Sequence, residues 1–92
     1  MKTGITITYF SGESESFTAS TPEFVKWERK TGLKVTQLGE NVGLDDLLFL
    51  AYNAKKREQA GQAIKPYEIW CDTVDEVRSD STENPKATPP EA

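Results

Sequence analysis

The chain has 92 residues, a formal net charge of −4, one cysteine and no histidine. That length holds one domain, and the acidic balance lacks the basic face with which nucleic-acid binders meet phosphates. A lone thiol without histidine excludes an internal disulfide and the usual zinc ligand sets.

From the N-terminus, Gly4 to Phe10 alternates, with Ile5, Ile7 and Tyr9 on one side and Thr6, Thr8 and Phe10 on the other. This β-branched and aromatic pattern predicts a strand. Ser11-Gly12-Glu13-Ser14 is a turn signal, and Glu15 to Ala19 returns as a second short strand. An isolated hairpin is rarely stable in water, so it is expected to lie on helices or pair with another chain.

Ser20-Thr21-Pro22-Glu23 opens a helix. Ser20 or Thr21 can cap it, Pro22 suits the first turn, and Glu23 stands where a capping box needs an acid. Phe24, Trp27 and Val25 are its apolar residues, and Gly32 ends it. Leu33 to Glu40 reads either as a loop or as a helical turn that packs Leu33, Val35 and Leu38 inward.

A central helix is predicted from Leu44 to Ala60, stopping at Gly61. Its main stripe is Leu44, Leu47, Leu48, Ala51, Tyr52 and Ala54. Phe49 and Leu50 fall off that stripe, so the first two turns are apolar nearly all round. Such a helix is covered on several sides or meets a partner. The basic run Lys55-Lys56-Arg57 closes it, where cations complement the helix dipole.

Pro66 opens a last helix expected to end near Ser79. Tyr67, Trp70, Cys71, Val74 and Val77 form its apolar stripe, with Glu68, Asp72, Asp75 and Glu76 on the opposite side. From Asp80 the chain has no large apolar residue and has three prolines, a composition that stays disordered. The expected organisation is an α+β domain over residues 1–79, an N-terminal hairpin packed on three to four short helices, followed by a disordered acidic tail over 80–92. A domain of ~80 residues buries only about 60% of its unfolded surface, so its stability is expected to be marginal.

The residues offer little for catalysis. Asp45 and Asp46 are neighbours on a helix and do not face each other; in the first turn they complement the dipole. Cys71 has no histidine base and lies on an apolar stripe, as a small buried hydrophobe does. No phosphate-cradling glycine pattern is present. No enzyme, metal or cofactor is therefore expected. Lys2 is not followed by an apolar leader segment, and no apolar run approaches the ~20 residues that cross a bilayer. A soluble, intracellular protein that binds another protein is what remains. The candidate binding surface is Phe49, Leu50 and Ile69, off the apolar stripes, with Glu68, Asp72 and Glu76 from the acidic side of the last helix.

The order of these parts resembles the short tail assembly chaperones of long-tailed phages, especially those of actinobacteria. Pro22-Glu23-Phe24-Val25-Lys26-Trp27-Glu28-Arg29 is similar to the family's acidic and aromatic segment. Leu47-Leu48-Phe49-Leu50-Ala51-Tyr52-Asn53-Ala54-Lys55-Lys56-Arg57 is similar to its central helix. Tyr67 to Val77 is similar to its last helix, and the acidic Pro-rich end also fits. The resemblance covers about residues 17 to 92; the hairpin around Ile5 to Tyr9 lies outside it. It implies a non-enzymatic protein of the host cytoplasm, absent from the finished virion. Such a protein binds the tape-measure protein and keeps it soluble while tail-tube subunits polymerise. Further implied partners are the tail-tube protein, a longer frameshifted form and further copies of itself, with no nucleic acid and no membrane. The competing expectation is a small acidic regulatory module that docks on a basic host protein.

Overall fold

A computed structural model describes residues 2–40 and 42–81. Two strands, β1 (Thr3–Tyr9) and β2 (Ser14–Ala19), form the expected antiparallel hairpin. Its turn is closed by the Tyr9 N–H donating to the Glu13 carbonyl at 2.9 Å, with Gly12 at φ 97°, a left-handed value that suits glycine. The alternation reads out as predicted. Ile5 and Ile7 are fully buried, whereas Phe10, on the other side, is 70% exposed.

Helix α1 (Thr21–Thr31) starts at Ser20 and stops at Gly32, whose φ of 76° and N–H bond to the Glu28 carbonyl close the last turn. Phe24 and Trp27 enter the core; Val25 is exposed. Residues Val35–Glu40 form a 3-10 helix. Val35 packs on the core, while Leu33 is exposed rather than turned inward.

Helix α2 (Leu44–Glu58) ends two residues before the expected Ala60. Leu50, Ala51, Tyr52, Asn53 and Ala54 are consecutive and all buried. Cover from several sides, by β2, β1, β3 and α1, thus falls on residues 50–54, whereas Leu47, Leu48 and Phe49 in the apolar first two turns are half-buried. Leu50, expected at the surface, is 1% exposed and belongs to the core. Leu44, expected on the buried stripe, is 68% exposed at the helix start, ahead of the turns that the other elements cover.

The largest departure follows Pro66. Helix α3 spans only Tyr67–Cys71, and the chain then forms a third strand, β3 (Val74–Ser81). It pairs antiparallel with β1, giving the sheet order β2-β1-β3. The Thr73 hydroxyl and N–H both donate to the Trp70 carbonyl, at 2.6 and 3.0 Å, and so close the short helix without glycine or proline. Val74 and Val77, three apart, mimic a helical face. In a regular strand that spacing puts them on opposite sides. Here the register slips between Thr8↔Glu76 and Tyr9↔Val74, a bulge that takes up Asp75 and returns both valines to the core side. β1 demands this partner, because a buried strand cannot leave its backbone donors and acceptors unpaired.

The helices cover the face carrying Ile5, Ile7 and Phe17. The other face is polar, with the Thr6 and Ser16 hydroxyls 3.1 Å apart and those of Thr8 and Ser14 3.2 Å apart. β3 runs on to Ser81, and the expectation of a disordered tail otherwise falls outside the described residues.

Candidate functional site

The basic run at the end of α2 is fastened residue by residue. Arg57 donates through Nε and Nη2 to the two carboxylate oxygens of Glu23, both at 2.8 Å, and Nη2 also reaches the Thr18 carbonyl at 3.2 Å. Glu23 is the expected capping-box acid, accepting the Ser20 N–H at 2.9 Å, and is fully buried. Burial alone would raise its pKa, but the hydrogen bonds from Arg57 and Ser20 hold it below the usual carboxylate range. Lys56 lies over the Tyr52 ring at 5.6 Å. Lys55 pairs with Glu15 at 3.0 Å. The run therefore joins α2 to the hairpin and α1, beyond the dipole role expected for it.

Lys55 also opens onto a cleft of about 680 Å³ between the hairpin turn, α2, the loop around Ile64 and Lys65, and α3. A chain of hydrogen bonds lines it. Trp70 Nε1–H donates to Tyr9 Oη at 3.1 Å, and Tyr9 O–H donates to Glu15 Oε1 at 2.5 Å, which also accepts from Lys55. Burial, and then the bond to Glu15, push the Tyr9 pKa up to about 12. Burial would raise that of Glu15, but the bonds from Tyr9 and Lys55 bring it below its ordinary value. At neutral pH the cleft thus holds a phenol that keeps its proton beside an ion pair whose charges satisfy each other. Such a wall can orient a ligand by hydrogen bonds, and it presents no activated nucleophile.

Tyr9→Phe removes the central link of that chain and is expected to cost about 1 kcal/mol in a urea titration. In an alkaline absorbance titration, it should remove a phenolate component near pH 12. Because the folded pKa is raised, the stability tied to Tyr9 is full below about 10 and is lost as the pH climbs through 12.

The predicted binding residues are dispersed. Phe49 is half-buried beneath Lys30, whose Nζ is 4.7 Å from the ring centre. Ile69 is 53% exposed on α3, where Glu68 is also exposed; Asp72 is exposed in the turn that follows. Glu76 lies on β3 opposite Thr8, on the open face of the sheet, so it does not continue the acidic side of α3. Leu50 is in the core and is unavailable to a partner. Asp45 ties this region together: it accepts from Tyr67 Oη at 2.8 Å and pairs with Lys30 at 3.2 Å, fixing α3 and α1 against the start of α2. Those bonds, Tyr67 first, lower its pKa. Asp46 accepts from Trp27 Nε1 at 2.9 Å and from the Gly43 N–H at 3.0 Å. Burial pushes the Cys71 thiol up, away from thiolate chemistry.

Sequence reasoning missed Tyr9, Glu15 and Trp70 as one constellation, and Glu23 with Arg57 as a pair. The partners stand 61 and 34 positions apart, so no local motif carries either. Among the described residues no group of three potential ligands is placed to hold a metal, and no helix is long and apolar enough to cross a membrane. Compared with protein-family models, curated proteins and solved structures, the chain has no match.

Proposed function

We propose that this chain is a non-enzymatic tail assembly chaperone, which binds the tape-measure protein of a long-tailed phage and keeps it soluble while the tail tube polymerises. The order of its sequence motifs suggests the reading. The observation that supports it most is apolar side chains left in solvent where α2 begins and on α3. Leu44 is 68% and Ile69 53% exposed, on two elements held together by the Tyr67–Asp45 bond, with Asp45, Glu68 and Asp72 beside them. Apolar anchors with a polar rim suit the apolar stripe of an amphipathic helix, the structure that dominates a tape-measure protein. The acidic regulatory reading draws less support, because its negative residues are divided among a helix, a turn and the open sheet face.

Light scattering of a tape-measure protein diluted from denaturant, with and without this chain, tests the proposal. The wild type is expected to suppress aggregation. The Leu44→Asp/Ile69→Asp double variant, which alters exposed positions only, is expected to need about tenfold more protein for the same effect. No suppression by the wild type overturns the chaperone reading; equal suppression by the variant overturns the surface.

A further inference from the structure

We infer that β3 is a self-association edge, through which two copies of this chain join into one six-stranded antiparallel sheet. The inference stands independently of the chaperone reading. Among the described residues the strand order is β2-β1-β3, so β2 and β3 are the two edges. They are treated differently. On β2, Arg57 donates to the Thr18 carbonyl at 3.2 Å and the Thr18 N–H donates to Glu58 Oε2 at 3.4 Å, so side chains of α2 occupy that edge. Natural sheets block their edges in such ways.

The direction of the backbone groups on β3 follows from its neighbour. The Tyr9 N–H donates to Glu13, on the β2 side, and the Phe10 N–H to Thr73, on the β3 side. In an antiparallel ladder this direction alternates residue by residue. Even-numbered residues of β1 therefore aim at β3. Their partners there, Glu76 opposite Thr8 and Arg78 opposite Thr6, aim back at β1. Val77 and Ser79 point their N–H and C=O groups outward, to the edge that no strand covers among the described residues.

A two-fold axis at Val77 uses those groups directly. Val77 then faces Val77 of the second copy, and residues whose numbers sum to 154 are opposite each other. Glu76 meets Arg78 of the second copy, and Arg78 meets its Glu76. Both side chains are exposed on the open face. An axis at Arg78 would also bring outward groups together, Val77 against Ser79, but would set arginine against arginine. The alternating charges that would repel many foreign strands are thus complementary to themselves with the axis at Val77, and opposite charges directly across a ladder are stabilising where like charges are not.

Sedimentation velocity of the full chain over a concentration series tests this, with circular dichroism to confirm folding. The wild type is expected to show a monomer–dimer equilibrium. Glu76→Arg and Arg78→Glu each set like charges across both symmetric pairs and should weaken dimerisation about tenfold or more. Mixed in equal amounts, the two variants should recover it, because each supplies the charge that the other lacks. Ser79→Pro removes an outward N–H without touching the β1 ladder and should also weaken the dimer. A wild type that stays monomeric at all concentrations overturns the inference, as does a dimer that none of these changes affects. Disruption by Arg78→Glu but not by Glu76→Arg overturns the register, since an axis at Ser79 would instead pair Arg78 with Asp80.

Discussion

Trp70→Ala is expected to remove about 4 kcal/mol of stability, a large share of the roughly 5–15 kcal/mol that a domain possesses, and to lower the urea midpoint markedly. Trp70 is 3% exposed. Its ring meets Tyr9 edge-on at 6.4 Å, Tyr52 at 5.4 Å and Tyr67 at 6.5 Å, and its N–H holds the Tyr9 hydroxyl. Truncation would open a large cavity where the hairpin, α2 and α3 meet, and such a site collapses only partially. Trp70→Phe keeps most of the ring volume but leaves Tyr9 without that donor, and should cost only about 1–2 kcal/mol. Urea denaturation followed by far-UV circular dichroism separates the two. Equal midpoints for Trp70→Ala and the wild type would show that α3 is peripheral to the fold.

Arg57→Ala should destabilise by about 3 kcal/mol through a different mechanism. Glu23 would remain fully buried with a carboxylate that has lost its cation. Breaking one side of a buried ion pair costs several kcal/mol. The lower end applies here, because the Arg57 side chain is 41% exposed and the Ser20 N–H still reaches Glu23. The effect has a pH signature. The folded pKa of Glu23 is lowered from the ordinary 4.5, so the stability it contributes is full above about 4.5 and is lost as the pH falls through the folded value. Without Arg57 the buried carboxyl favours its neutral form. The gap between wild type and variant should therefore be widest near pH 7 and narrow in acid. A gap that is flat from pH 7 to pH 3 would mean that the pair contributes packing rather than charge.

What the sequence made legible was local. The hairpin follows from strict alternation in Ile5, Ile7 and Tyr9, and the ends of α1 from Ser20, Pro22 and Gly32, each of which acts on its own backbone neighbours. The third strand was illegible because its evidence lies elsewhere in the chain. Nothing between Tyr67 and Ser79 breaks a helix, and Val74 and Val77 keep helical spacing. Only the unpaired side of β1, about 70 positions away, makes the segment extend. The bulge at Asp75 then disguises the strand, since it destroys the two-residue period that would have announced it.

Leu50 and Ile69 both lie off a helical stripe in projection, but α2 is covered on several sides and α3 is five residues long, so one is buried and the other exposed. Projection from a sequence assigns a residue to a side of its helix, and the neighbours decide how many sides are covered. The cleft residues were invisible for the complementary reason. Tyr9, Glu15 and Lys55 are ordinary strand and helix residues until the fold places them within hydrogen-bond reach.

The pairing of Thr3 with Ser81 brings the start of the first strand beside the end of the last. As the chain emerges from the ribosome, β1 and β2 can meet early. The second side of β1 stays open until almost the whole domain has been made, so the sheet is completed by its most distant segment, in a step slowed by loop closure. This closeness of the first and last strand ends also makes the domain suited to circular permutation. A few glycines joining residue 81 to residue 3, with new ends cut in the exposed loop near Gly61, would bring β3 directly before β1 and should speed refolding.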